Sequence, residues 1–309
     1  MTPENVAPDA PGRELPAAAW EHNDLYKSVR EAIASLPIYF RTETHISGIM
    51  ATDLHTLNTV LGATIEEQVV RTLNLLRSTW DPGEKYALYN FVRQPQTFPD
   101  VLLRKTSTDE IILGIELKGW YLLAKETEPS LRFQVTPAAC AQQDLIAVVP
   151  WVLGNVISGS PILFEPFVES ARYAAEYRNY HWQTLRQTTQ ESSIDIPSGV
   201  SPYPSKSQQI LDRARSDGGG NFGRLARSGL MNPYMEKLEN LQLCGIKIVY
   251  WRQFLKAFQE STTDAEARAA LERLKLRVQR ASGIGIPSPK AQSALAIIGD
   301  LARLLDLAE

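Results

Sequence analysis

A polar turn between two apolar segments constrains the fold of this chain more than any other feature. Residues 97–105 and 111–119 are both predicted strands, and residues 106–110 form a short polar turn between them. The second segment, IILGIELKG, is apolar except for Glu116 and Lys118. Charged side chains are rarely buried unless they are paired or bind a metal, so these two charges indicate a functional cluster on a β-hairpin.

The register of this hairpin can be predicted from the turn. If Lys105 pairs with Ile111, then Asp100 lies directly opposite Glu116. Side chains directly opposite on an antiparallel pair share one face, with Cβ atoms about 5 Å apart. Glu116 and Lys118 also share a face, because they are two residues apart on one strand. The alternative is a Glu116–Lys118 ion pair on the solvent-facing side of an edge strand.

The chemistry of the three charged groups suggests metal-assisted hydrolysis. Two carboxylates can bind a hard divalent cation such as Mg²⁺ through their oxygen atoms. A lysine beside them can orient a water molecule and stabilise charge on a phosphate. Asp100, Glu116 and Lys118 therefore form the minimum set for hydrolysis of a phosphodiester bond.

A third carboxylate is predicted on the preceding helix, over residues 64–80. The apolar side of this helix is formed by Ile65, Val69, Leu73 and Leu76. Glu66 lies beside that side, whereas Glu67 points nearly away from it. Glu66 either approaches the metal or is an acid near a helix N-terminus, favoured by the helix dipole.

The order of predicted elements indicates an α/β fold with a central mixed β-sheet flanked by helices. Predicted strands at 85–92, 144–152, 161–167 and 245–251 alternate with helices, and helices at 264–281 and 288–307 end the chain. We expect a mobile N-terminal arm over residues 1–18, one domain over 19–260 and a C-terminal helical extension over 261–309. The composition, with 44% hydrophobic residues, suffices for a sizeable core.

The composition also indicates the cellular compartment of the protein. No segment approaches the roughly 20 apolar residues of a membrane span, and the acidic, proline-rich N-terminus lacks a signal-peptide pattern. Cys140 and Cys244 are widely spaced, as in a reducing compartment. We therefore expect a cytoplasmic protein without a membrane partner.

One segment has the composition of a DNA-binding surface. Residues 205–230 carry five basic side chains against two acidic ones, in a chain whose net charge is −3. Glycines in the segment allow close backbone approach, and Asn221 can read adenine by its geometry. We predict that residues 218–227 contact DNA, with Arg224 and Arg227 on phosphates or guanine edges. Arg215 and Lys206 are further candidates, and the alternative is a solvated basic loop.

Together these residues resemble the PD-(D/E)xK nuclease superfamily and, within it, the type II restriction endonucleases. The signature corresponds to Pro99-Asp100 and to Glu116-Leu117-Lys118, with Glu66 as the supporting acid. Two longer stretches, at 116–133 and 218–235, are also similar to restriction enzymes. The resemblance covers about residues 60–255.

The resemblance implies a restriction-endonuclease-like core with helical N- and C-terminal additions. In the family, the equivalents of Asp100, Glu116 and the Leu117 backbone carbonyl bind Mg²⁺, and that of Lys118 positions or deprotonates the attacking water. The implied activity is sequence-specific hydrolysis of double-stranded DNA. A restriction function requires a cognate DNA methyltransferase, which protects the host DNA.

Three expectations about assembly and rival functions follow. A homodimer is expected because a two-fold protein matches a palindromic site. The helices at 264–281 and 288–307 are candidate dimer elements, with core packing equally plausible. The rival functions are a structure-selective DNA repair or recombination nuclease of the same superfamily and a non-catalytic DNA-binding protein.

Overall fold

The computed structural model describes most of the chain. The described residues are 9–49, 53, 56–94, 96–124, 128–256 and 263–281, with 289, 292, 295, 296 and 298–300. Their helices are α1 Asn23–Ala34, α2 Leu36–Tyr39, α3 Leu57–Leu75, α4 Arg77–Trp80, α5 Ala171–Tyr180, α6 Asn232–Glu239, α7 Ile248–Leu255 and α8 Asp264–Ala281. Their strands are β1 Tyr89–Arg93, β2 Val101–Lys105, β3 Ile111–Tyr121, β4 Leu145–Leu153, β5 Pro161–Leu163, β6 Phe167–Ser170, β7 Ile194–Asp195, β8 Arg213–Ala214, β9 Gln242–Leu243 and β10 Ile246–Lys247.

A six-stranded mixed sheet forms the centre of the molecule. Strands β1, β2 and β3 form an antiparallel meander, and β3 then pairs in parallel with β4. The other edge of β4 takes both β5 and β6 as antiparallel partners. Strand β4 is therefore enclosed on both edges, and all nine of its residues are buried. The predicted mixed α/β class is confirmed.

Helix α3 packs on β1 and β3, while α5 packs on β4 and β6. Helix α3 begins at Leu57, seven residues before the predicted start, so Gly62 lies inside the helix. The buried residues Leu57, Leu61 and Ile65 extend the apolar side of the helix upstream. This earlier start matters for Glu66, because it moves that residue away from the helix N-terminus.

The predicted strand at 245–251 is largely wrong. Only Ile246 and Lys247 form a strand, and helix α7 begins at Ile248. Ile248 and Trp251 in this apolar run are buried, but they belong to a helix. Periodicity alone does not distinguish a short buried strand from a short buried helix.

The N-terminal segment contacts a strand of the sheet, and α8 contacts α7. In the N-terminal segment, Arg13 Nε lies 3.0 Å from a carboxylate oxygen of Glu169, and the carbonyl of Leu15 accepts a hydrogen bond from Gln142. The mobility of the arm stays a prediction. Helix α8 spans the predicted residues and packs against α7. The predicted helix at 288–307 lies outside the continuously described residues.

The described helices also bear on membrane association. None of them combines the length and the apolar character needed to cross a bilayer.

Candidate active site

The β2–β3 hairpin has the predicted register where it matters for the site. Val101 pairs with Ile115 and Leu103 with Leu113. One further step in the same register places Asp100, the residue before β2, opposite Glu116. Near the turn the prediction was wrong by one residue, because a bulge after Leu103 pairs Arg104 with Ile111. The extra residue is absorbed at the turn, so the register at the charged end is unchanged.

The hairpin brings Asp100, Glu116 and Lys118 together. Lys118 Nζ lies 2.6 Å from Glu116 Oε1 and 3.6 Å from Asp100 Oδ2. The Glu116 side chain is only 9% exposed, whereas the side chains of Asp100 and Lys118 are 28% and 23% exposed. One acid is therefore almost buried, and the other two groups reach solvent.

The electrostatics of the cluster favour an additional positive charge. The pKa of Glu116 is raised to about 7, chiefly by burial and in part by the neighbouring Asp100, against the lowering effect of Lys118. Burial alone would lower the pKa of Lys118, but the attraction of Glu116 and Asp100 outweighs it and raises that pKa. Lys118 is thus protonated at neutral pH, and two acids share its single charge.

Strand β3 continues beyond the end of its pairing with β2. Their pairing ends at Ile115, whereas β3 runs to Tyr121. Backbone N–H groups at such an edge need other partners. Asp100 Oδ2 accepts from the Leu117 N–H at 3.0 Å, and Asn58 Oδ1 accepts from the Tyr121 N–H at 3.0 Å. Between them, the Glu66 carboxylate accepts from the Gly119 N–H.

Helix α3 can take the place of a neighbouring strand because of its residue spacing. Asn58, Gly62 and Glu66 are four residues apart, so they share one side of the helix. A Cβ atom built at Gly119 would lie 3.7 Å from the Gly62 Cα, which shows how closely helix and strand approach. Asn58 is therefore a site residue that the sequence analysis missed. The available signal was its spacing of eight residues from Glu66, which is two steps of four.

The structure excludes one of the two alternatives for Glu66 that the sequence analysis left open. It lies in the third turn of α3, so stabilisation by the helix dipole, which acts in the first turn, was the wrong explanation. Its carboxylate lies 3.5 Å from Arg93, and burial raises its pKa, with Asp100 raising it further. A contact between Glu66 and a metal stays a prediction.

The oxygen donors available to a metal are thus few. In the described part of the chain, no group of three or more His, Cys, Asp or Glu side chains is placed to hold an ion. Two carboxylates, those of Asp100 and Glu116, converge on one point. The N–H and C=O of a strand residue point to the same edge of the strand. Because the Leu117 N–H donates to Asp100, the Leu117 carbonyl also faces the edge where Asp100 lies. This donor set, two carboxylates and a carbonyl, is all oxygen and fits Mg²⁺ chemistry.

Three of the predicted DNA-contacting residues lie around one cavity. Asn221, Arg224 and Arg227 line a cavity of about 320 Å³. Arg227 contacts both the Asn221 side chain and Glu128, and Arg224 donates to the Gly220 carbonyl at 3.1 Å. These contacts fix the orientations of the two arginines within the segment.

The other two candidates lie outside that lining. Arg215 pairs with Asp195 at 2.7 Å on the surface, and Lys206 is exposed. One of the two acids in the basic segment is not on the surface. Asp212 is fully buried and pairs with Arg178 at 2.5 Å, so it does not offset the surface charge of the segment.

Comparison with known proteins adds no relative. No protein-family model matches the chain, and no curated protein or solved structure is significantly similar to it. The resemblance to PD-(D/E)xK nucleases therefore rests on the motif residues and on the geometry of the hairpin.

Proposed function

We propose that this protein is a Mg²⁺-dependent, sequence-specific endonuclease of the type II restriction class, which hydrolyses phosphodiester bonds in double-stranded DNA. The observation that carries the proposal is the convergence of Asp100 and Glu116 on the Lys118 ammonium at the open edge of β3. Homodimer formation, a restriction-endonuclease-like core and a partner methyltransferase are parts of the same proposal.

Each residue of the cluster has a chemical task in this reaction. Asp100, Glu116 and the Leu117 carbonyl would hold Mg²⁺, which when bound neutralises phosphate charge and lowers the pKa of a coordinated water. Lys118 is protonated and partly exposed, so it can donate to a phosphate oxygen and hold the attacking water in line. Its raised pKa favours a role in positioning and charge stabilisation over a role as the base.

The energetics of the cluster support an enzyme over a non-catalytic DNA-binding protein. Placing the nearly buried Glu116 next to Asp100 is unfavourable in the absence of a second cation, because both carboxylates share one ammonium. Groups whose pKa is strongly shifted by burial and by a like charge concentrate at functional sites. A purely structural hairpin would be more stable with an apolar side chain at position 116.

The first experiment asks whether the protein cuts DNA. Purified protein is incubated with methylation-free phage DNA, once with Mg²⁺ and once with EDTA. We expect discrete fragments with Mg²⁺ and intact DNA with EDTA. Cutting only at branches or ends would replace the restriction function with that of a structure-selective nuclease. Intact DNA across many methylation-free substrates would overturn the enzymatic proposal.

A pair of matched variants on the same hairpin tests the site. Asp100→Asn should reduce cleavage by about 100-fold or more, because it removes a charged oxygen donor while keeping the shape of the side chain. Asp109→Asn serves as the control, since Asp109 is an exposed acid in the turn whose carboxylate lies 3.2 Å from Arg104. Equal cleavage by both variants would show that the site is elsewhere.

A further inference from the structure

The cavity beside the basic segment is separate from the catalytic cluster and has a lining of its own. Its volume, about 320 Å³, is at the lower end of the range for small-molecule sites. One side is formed by the residues that follow α5 and the other by the basic segment. The side chains that matter are His181, Trp182, Arg186, Asn221, Arg224 and Arg227.

The charge of this lining is positive. Among the residues that the structure describes, no acidic side chain forms an ion pair with Arg186 or Arg224, whereas Arg227 pairs with Glu128 at 3.5 Å. Burial, together with the nearby Arg186, lowers the pKa of His181, which is therefore neutral at pH 7. The cavity thus has an excess of positive charge and favours an anionic ligand.

Two buried donor atoms of residues in this lining have no hydrogen-bond partner among the described residues. The Arg186 guanidinium lies 3.5 Å from the centre of the Trp182 ring. Trp182 is only 4% exposed, and its indole Nε1, like the Arg186 Nε, is buried with no hydrogen-bond acceptor in the described structure. Buried donors in proteins nearly always have an acceptor.

We propose that this cavity binds a nucleotide unit, with its phosphate on Arg186 and Arg224 and the edge of its base facing Asn221. A lone phosphate would satisfy the charge but would fill only part of the volume. The amide of Asn221 and the neutral ring of His181 can both donate and accept hydrogen bonds, which suits a base edge. This inference rests on the proposed function only for the source of the nucleotide, which is either free or part of a DNA strand.

The cavity is joined to the catalytic hairpin by direct packing. The Gly223 carbonyl in its lining accepts a hydrogen bond from the Phe133 N–H at 2.7 Å. The ring of Phe133 packs against that of Phe98, with 6.0 Å between the ring centroids, and Phe98 lies two residues before Asp100. Phe133 therefore contacts both the cavity lining and the segment that leads into the hairpin.

Binding is measured by titration calorimetry in EDTA, so that it does not depend on cleavage. The probes are the four deoxynucleoside monophosphates, the matching deoxynucleosides and inorganic phosphate. We expect the monophosphates to bind more tightly than either fragment. Binding of inorganic phosphate as tight as that of the monophosphates would overturn the nucleotide assignment.

Matched variants locate the binding. Arg186→Gln should weaken monophosphate binding by about 10- to 100-fold, the usual range for a lost hydrogen bond to a charged group. Trp182→Phe keeps a ring beside Arg186 and should weaken binding by a smaller factor. Arg104→Gln removes the same charge from a position outside the cavity, where Arg104 pairs with Asp109, and should leave the affinity unchanged. Equal effects of Arg186→Gln and Arg104→Gln would refute the location.

Oligonucleotides that contain 2-aminopurine distinguish the two sources. If the nucleotide belongs to a strand, fluorescence should rise when a duplex binds, and Arg186→Gln should abolish the rise. Monophosphate binding without this rise would assign the cavity to a free nucleotide. The absence of both signals would overturn the proposal. Nucleotide binding by a protein that never cuts DNA would contradict the proposed nuclease and leave the cavity assignment standing.

Discussion

Replacing Lys118 by methionine is the sharpest test of the electrostatics of the candidate active site. The substitution keeps the length of the side chain and removes the ammonium that Asp100 and Glu116 share in the described structure. Removing one partner from a fully buried ion pair costs about 3–5 kcal/mol. Asp100 and Lys118 are about a quarter exposed, so we expect a smaller loss of about 1–3 kcal/mol.

The assay is thermal and chemical unfolding in EDTA. For a domain of this size, the expected loss corresponds to a fall of the melting temperature by a few to about ten degrees. Lys105→Met is the matched control on the same hairpin. Lys105 lies 4.0 Å from Glu110, in a pair whose side chains are 29% and 52% exposed, so its removal should cost less than about 1 kcal/mol.

Added Mg²⁺ extends the same experiment. The ion should stabilise the Lys118→Met variant more than the wild type, because two carboxylates without an ammonium bind a cation more strongly. A ligand at 100 times its dissociation constant adds about 2.7 kcal/mol, which is readily measured. If the Lys118→Met variant unfolds in EDTA at or above the wild-type melting temperature, the view that Lys118 neutralises the two acids is refuted.

Two further predictions concern residues that support the site. Asn58→Ala should lower the free energy of unfolding by about 1–3 kcal/mol, because the buried Tyr121 N–H loses its acceptor. Thr59→Ala, at the exposed neighbouring residue, should have little effect. Equal denaturation midpoints for the two variants would contradict this prediction. Burial raises the pKa of Asp144 from 3.8 to about 6, so the folded chain binds this proton more tightly than the unfolded chain. The contribution of Asp144 to stability should therefore be greatest below about pH 4 and fall by up to about 3 kcal/mol as the pH rises to about 6. The measurement is the free energy of unfolding of wild type and Asp144→Asn, taken from denaturant titrations across this pH range. The same pH dependence for both proteins would show that Asp144 does not titrate in this window.

Local sequence patterns were enough to predict the hairpin and its charged end. The alternation along IILGIELKG and the polar turn before it depend only on neighbours in the chain. They therefore predicted that Asp100 lies opposite Glu116 and that Lys118 shares their face. The bulge near the turn was not predicted, because it adds one residue without changing the pattern on either side.

Other parts of the site depend on contacts between distant segments. Asn58 and Glu66 of α3, more than fifty residues upstream, bind backbone N–H groups at the edge of β3. No local sequence pattern predicts that a helix will lie there in place of a strand. The burial of Asp212 against Arg178 similarly changed the charge that the basic segment presents.

The sequence by itself thus determined which charged side chains meet on the hairpin, the α/β class and the register at the charged end of the hairpin, because each follows from side-chain type and from the two-residue period of a strand. Only the tertiary structure decided which side chains complete the open edge of β3 and that Trp182 and Arg186 meet the basic segment around one cavity. Those arrangements depend on how helices pack on the sheet, and packing is set by shape and burial across the whole molecule.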